Sequence, residues 1–439
     1  MGKEIAPDSQ QDRFAAYMER LAEAAGHADR KLPLKNYCTG LLLPGERKSV
    51  EPMAARLAGD DVQRMHQSLH HVVADAPWSD EAVLDRCLET VIPALLREEP
   101  IVAWVVDDTG FPKKGRESVG VARQYCGQVG KQDNCRVAVS LSVTTEKASM
   151  PVAFCLYLTE SWIKDRKRRK KTGVPNDIKF QTKPEIALEQ MRRARERNLP
   201  EGVVLADAGY GNDSGFRSEL TKMDMSYAVG IQSATTVWKP GEEPKPASPR
   251  KSNTGRPRKL LQRDDQHPPV SVKELALSLP ANAWKEVIWR EGVKQDLQSR
   301  FAALRVRPAH RDYERAEAHP EEWLLIEWPT GAPEPTKYWL SSVPADMDLP
   351  DLVHLAKHRW IIERDYQELK QELGLGHYEG RGWRGFHHHA TLCIAAYGFL
   401  VAERSLFFSA ARVGHVGLRT SPRPPDYRPR GSPHSSRAA

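Results

Sequence analysis

The chain has 439 residues, 40% of them apolar and 28% charged, which is enough for a sizeable core and more than one typical domain. A net charge of +7 favours a polyanionic partner such as nucleic acid. Six scattered cysteines without a Cys-x-x-Cys pair argue against a zinc framework or disulfide scaffold, and the lack of a bilayer-length apolar run or signal core predicts a cytoplasmic protein with no membrane partner.

Residues 11 to 98 are predicted helical. "QDRFAAYMERLAEAAG" sets Phe14, Tyr17, Met18, Leu21 and Ala25 on one face and stops at Gly26. "MAARLAG", "DDVQRMHQSLHHVV" and "WSDEAVLDRCLETVIPALL" follow. Short helices carrying Arg, Lys and His suit either a DNA-contacting domain over residues 1–98 or a plain packing bundle.

The period changes near residue 100. "PIVAWVVDD" reads as a short buried strand ending in two aspartates, and "CRVAVSLSVTT" and "MPVAFCLYL" as two more strands. The helix "KPEIALEQMRRARERN", the buried strand in "EGVVLADAGYGND", the helix "GFRSELTKM" and the strand "SYAVGI" complete an α/β pattern with a mixed sheet over 99–231. Residues 232–335 break the rhythm: a Pro- and Lys-rich stretch leads into candidate strands "AWKEVIWREG", "FAALRVRPA" and "EEWLLIEWP", a β-rich insertion. The α/β pattern resumes over 336–405 with the strand "KYWLSSV" and a helix from near Pro350. A Pro/Arg-rich tail over 406–439 is expected to be disordered.

Chemistry is suggested by acids at the ends of core strands. Asp107 and Asp108 follow one apolar run and Asp207 another. A carboxylate there is costly unless paired, hydrogen-bonded or bound to a cation, although helix caps and turns also use such aspartates. In "HRWIIERDYQELKQELG", helical spacing makes an apolar stripe of Ile362, Tyr366, Leu369 and Leu373, bordered by Arg359, Glu363 and Lys370. Glu368 and Glu372 fall on the far side, where solvent is expected. Glu363 is then either one half of an i,i+4 pair with Arg359 or a third acid reaching into the domain. Three carboxylates on one core would suit two Mg²⁺ ions engaged in phosphoryl transfer.

With these residues in view, the sequence resembles the bacterial insertion-sequence transposases of the DDE class. The likeness is closest to the branch with a β-rich insertion before the glutamate and a Tyr–Arg–Glu–Lys signature around it. Arg359, Glu363 and Lys370 match that spacing, while Ala356 stands where the tyrosine is expected. The resemblance implies an RNase H-like mixed-sheet core with catalytic, metal-holding residues Asp108, Asp207 and Glu363. Asp108 is favoured over Asp107 because an Asp–Thr pair is a form this motif often takes. It also implies two Mg²⁺ ions (or Mn²⁺), double-stranded DNA as partner (transposon ends and target), a homodimer on DNA and a nucleoid-associated location. Arg359 and Lys370 would bind phosphate.

Neighbouring stretches gain readings from this. The Gly- and Lys-rich segment after the first acid could lie along DNA through Lys113, Lys114 and Arg116, or be a solvated loop. The basic run "KDRKRRKKTG" is assigned to phosphate contact, and a Gly-Arg-Pro core at 255–257 is similar to minor-groove hooks. His387–His389 and Trp383 are expected to be structural before they are ligating or base-stacking. Besides a transposase, a nuclease on the same core and a catalytically inactive DNA-binding derivative remain as alternatives.

Overall fold

A computed structural model describes residues 9–247, 259–290 and 296–413, with 407–413 described by backbone alone. The Gly-Arg-Pro core and residues 414–439 of the expected tail lie outside the described residues, whereas residues 406–413 of that tail continue a helix that spans Trp383–Val413.

Helices α1 (Gln10–Glu23), α2 (Ala28–Leu42), α3 (Val50–Ala58), α4 (Val62–His70, extended by a π turn to Asp75) and α5 (Asp80–Glu98) open the chain. Ser9, Asp61 and Ser79 cap α1, α4 and α5 by accepting from main-chain N–H groups, which satisfies donors that a helix start leaves free. The expected face of α1 is buried at Tyr17, Met18, Leu21 and Ala25, with Phe14 half-buried.

Next come β1 (Ala103–Pro112), β2 (Ala122–Cys126), β3 (Lys131–Thr144), β4 (Ser149–Leu156), α6 (Glu160–Lys164), α7 (Arg166–Thr172), α8 (Lys183–Glu196), β5 (Val203–Ala206), α9 (Ala208–Gly211), α10 (Ser214–Lys222) and β6 (Tyr227–Ile231). The insertion supplies β7 (Thr236–Trp238), β8 (Val270–Ser271), α11 (Val272–Leu277), β9 (Lys285–Arg290), β10 (Leu297–Pro308) and β11 (Glu322–Trp328). The chain then returns through β12 (Lys337–Ser341), α12 (Leu349–Lys357), α13 (Ile361–Gln367) and the long α14 (Trp383–Val413).

The described strands join into one sheet with the path β2-β3-β1-β5-β6-β12-β11-β10-β7-β8; β4 also pairs with β3 and β9 with β10. At its centre β1 runs antiparallel to β3 and parallel to β5, and β5 runs parallel to β6. This is the RNase H-like mixed α/β arrangement. The insertion strands extend the same sheet, because β12 pairs with β6 on one edge and with β11 on the other.

Side-chain alternation along the central strands builds two cores. Trp104, Val106, Val204 and Ala206 point to the layer of α8, α5 and α14, whereas Ala103, Val105, Val203 and Leu205 point to the layer of α12 and α13. The opening helices belong to the first layer. Tyr17 Oη donates to the Ala395 carbonyl of α14 at 2.7 Å, and Arg13 clasps Glu403 through two hydrogen bonds.

The sequence misjudged two local features. β1 does not end at the aspartates but pairs with β3 as far as Pro112 opposite Cys135, so Asp107 and Asp108 are mid-strand residues. The Gly- and Lys-rich segment is also not all loop: it folds into β2 and the start of β3, leaving 113–121 as the connection.

Candidate active site

The acids converge because of strand register. Residues 103–105 of β1 pair in parallel with 203–205 of β5, an offset of 100 that, carried two residues past Val105, brings Asp107 level with Asp207. Both have the parity of the α12–α13 face. Asp108 has the opposite parity and forms an ion pair with Lys183 at the start of α8, at 2.5 Å. Asp207 follows β5 in extended conformation and caps α9, accepting from Gly209 N–H at 2.8 Å.

The helical segment facing these acids is not one regular helix. A 3₁₀ turn (His358–Trp360) precedes α13 and a π turn (Glu368–Glu372) follows it. Such turns alter the angle per residue, so uniform 100° spacing misplaces some side chains. Ile362, Leu369 and Leu373 are buried as expected. Glu368, expected to be solvated, accepts instead from Arg364 at 3.1 Å and Arg404 at 2.8 Å. Asp365 is also buried and accepts from Tyr397 Oη at 2.7 Å.

Arg359, in the 3₁₀ turn, donates to Asp107 Oδ2 at 2.9 Å. Burial works against its charge, but Asp107, Asp207 and Glu363 together more than offset this and raise its pKa. Three carboxylates therefore act on one guanidinium. Asp107 is pushed up to about 6, mainly by burial and further by Asp207 and Asp108, with Arg359 opposing. Glu363 is exposed, on the first turn of α13.

Lys370 Nζ lies 3.4 Å from the Gly110 carbonyl of β1 and over the Phe111 and Tyr366 rings, so Arg359 and Lys370 both border β1, while Glu363 acts on this face through Arg359. Tyr366 Oη meets Ser140 Oγ on β3. Tyr210 and Tyr366 both have their phenols raised by burial and then by the surrounding aspartates. At the expected tyrosine position, Ala356 is buried in the α12–α13 layer. Sequence reasoning missed Lys183 and Tyr210; the only trace of Tyr210 was its spacing, one helical turn after Asp207.

The donor type of these acids is that of a hard-cation site. They offer oxygen ligands only, and three formal negative charges face one positive one. That is the environment in which Mg²⁺ can be bound by a few carboxylates together with water and substrate phosphate.

The other sequence candidates divide. Lys113 Nζ donates to the Tyr378 carbonyl at 2.8 Å, and burial then Arg136 lower its pKa to about 8. Lys114 and Arg116 are exposed. The basic run forms α7, in which Arg168 lies over Trp162 at 3.8 Å and Arg169 donates to the carbonyls of Pro175 and Ile178. Arg166, Lys167 and Lys170 are exposed. His387, His388 and His389 are buried, and each bonds to a different main-chain carbonyl, that of Trp383, Val73 (with Trp78) and Gly374 respectively. Trp383 packs on His387. No described helix is long and apolar enough to cross a membrane.

Comparison with known proteins adds two findings. The sequence matches the model of a family described as DDE superfamily endonuclease over residues 20–296. It is also 33% identical over 189 residues to a probable transposase for insertion sequence element IS701 from Microchaete diplosiphon, a match covering 43% of this chain and 45% of that protein.

Proposed function

The chain belongs to the DDE superfamily of endonucleases, and on that premise we propose that it is an insertion-sequence transposase. It binds the terminal inverted repeats of its element, cuts at the ends and joins the freed 3′ hydroxyls to target DNA. The observation that carries this reading is the ion pair of Arg359 with Asp107 at 2.9 Å, on a half-buried guanidinium whose charge is favoured by Asp107, Asp207 and Glu363 together. A partial likeness to a probable transposase favours strand transfer over simple hydrolysis.

The metal-holding set we propose is Asp107, Asp207 and Glu363. Strand parity favours Asp107 over Asp108, whose carboxylate is already committed to Lys183 on the other face. Two Mg²⁺ (or Mn²⁺) ions held by these acids would supply activation of the attacking oxygen and stabilisation of the leaving one.

The chain's own groups do the rest. Arg359 neutralises the acid cluster before substrate arrives and then offers a planar fork to a phosphate. Lys370, beside the Gly110 carbonyl, adds a compact positive charge at the rim of the same face. Lys114 and Arg116, together with Arg166, Lys167 and Lys170 on α7, contact the DNA backbone. Lys113 instead ties β1 to the segment before α14. Dimerisation on paired ends and a nucleoid-associated, cytoplasmic location belong to this proposal.

The test is strand transfer with precleaved ends and Mg²⁺. Joining by wild type and its loss in Glu363→Gln are expected. Cleavage without joining would make the protein a nuclease, and neither activity would make it an inactive DNA-binding derivative.

A further inference from the structure

A second cluster of ligating side chains lies away from the carboxylates, where the β3–β4 turn meets the end of α12. Glu146 occupies that turn, and His354 and His358 stand one helical turn apart. One ligand atom from each, two imidazole nitrogens and a carboxylate oxygen, lies within 4.8 Å of the others. His354 Nε2 is 2.8 Å from Glu146 Oε2, and His358 Nε2 is 3.2 Å from Thr144 Oγ1. The His358 ring is buried, whereas His354 and Glu146 are half-exposed, so the group is backed by protein on one side and open on the other.

We propose that Glu146, His354 and His358 form a site for a divalent transition metal, Zn²⁺ by preference, with water in the remaining position. Tetrahedral bonds of about 2.0–2.1 Å set ligand atoms roughly 3.3 Å apart, a spacing that small side-chain rotations reach from those observed. The donor set separates this site from the acid cluster: imidazoles suit Zn²⁺, and Mg²⁺ prefers an all-oxygen shell. Each ring also has a main-chain hydrogen bond, to Trp289 for His354 and to Thr145 for His358. Outer partners of that kind orient metal-bound imidazoles. A simple His354–Glu146 ion pair would not require a buried second imidazole within the same reach.

The consequence is mechanical. His358 directly precedes Arg359, so an ion here ties the β3–β4 turn and the end of α12 to the residue that bonds Asp107.

Co²⁺ serves as the probe on the full-length protein, because its visible spectrum distinguishes four-coordinate from octahedral binding. Wild type should bind one equivalent with intense four-coordinate bands that Zn²⁺ displaces and excess Mg²⁺ does not. His354→Ala and Glu146→Gln, both at half-exposed positions, should lose the bands, while Asp207→Asn keeps them. That last variant separates this site from the proposed catalytic one. A weak octahedral spectrum in wild type, or unchanged bands in His354→Ala, would overturn the proposal.

Discussion

Asp107 on β1 and Asp207, the residue directly after the parallel strand β5, share one strand parity, that of the α12–α13 layer. The offset of 100 that pairs Ala103 with Val203 and Val105 with Leu205 leads to these two acids, and Asp107 feels the charge of Asp207 directly. Asp108, one residue on, points to the opposite layer and Lys183. Loss of an outer-shell partner usually costs a metal site about 10–100-fold, so loss of a ligand should cost at least that. Asp107→Asn is therefore expected to reduce Mg²⁺-dependent end cleavage by at least about 100-fold, with Asp108→Asn much milder. Equal losses in the two variants, measured on one end substrate, would refute the assignment.

Arg359 makes a second prediction because it shares the acids with any bound cation. Removing one partner of a largely buried pair leaves uncompensated charge, and with partial solvent access the cost should be about 1–3 kcal/mol. Arg359→Ala should accordingly melt lower than wild type in EDTA. A ligand that binds only the folded state stabilises it in proportion to occupancy. Mg²⁺ should therefore raise the melting temperature of Arg359→Ala more than that of wild type, where the guanidinium competes. Identical Mg²⁺ shifts would mean that Arg359 does not guard the metal-binding face.

Much of this was legible in the sequence. The apolar runs before Asp107 and Asp207 located the central strands, and the helical spacing singled out Arg359, which bonds Asp107, and Lys370, which lies beside Gly110. The facing of the aspartates was not legible. It depends on which residue of β1 pairs with which of β5, and sequence alone carries no register between strands nearly a hundred residues apart. Glu368 was misjudged for a related reason: its partner Arg404 lies on α14, and a helical wheel knows only its own helix. Lys183 was invisible as the partner of Asp108 because it opens a helix 75 residues further along the chain, and nothing local sets which strand residue it meets.

His389 should give the protein an acid-sensitive joint. Its Nδ1 meets Tyr37 Oη at 2.9 Å and its Nε2 the Gly374 carbonyl at 2.9 Å, a set that a neutral ring satisfies in full. Burial lowers its pKa to about 4, with the Gly374 bond opposing. Because the folded pKa lies below the unfolded value of about 6.5, the stabilisation is present above 6.5 and is lost as pH falls towards 4. Between pH 7 and 5 this one group should cost about 2 kcal/mol. Urea titrations should show His389→Gln losing less stability than wild type over that interval. A variant that loses as much would exclude His389 as the source.

Within α7 the cations have different duties. Arg168 and Arg169 are engaged by Trp162 and by main-chain carbonyls, while Arg166, Lys167 and Lys170 are exposed. Replacing the three exposed residues by alanine should weaken binding to duplex DNA of any sequence. The slope of log K against log salt should become shallower by about 0.9 for each phosphate that is no longer neutralised. An unchanged slope would remove α7 from the DNA interface. Arg169→Ala should act on stability instead.

Lys357 and Glu327 tie the end of α12 to strand β11 of the insertion. The ammonium lies 2.6 and 2.7 Å from the two carboxylate oxygens, with side chains 10% and 6% exposed, and over the rings of Trp289, Phe301 and Trp339. Burial lowers the pKa of Lys357 while Glu327 opposes the shift. Two ions taken out of water recover that cost only through each other. Glu327→Ala should therefore destabilise the protein by about 3–5 kcal/mol, by leaving Lys357 charged and unpaired among aromatic rings. Replacing both residues, as Lys357→Met with Glu327→Leu, should recover most of that loss. Equilibrium urea unfolding of wild type, Lys357→Met, Glu327→Leu and the double variant measures the coupling directly. Single losses that simply add in the double variant would show that the pair acts as two independent charges. A coupling of several kcal/mol would instead identify it as the joint that holds the insertion strands against the helix leading to Arg359.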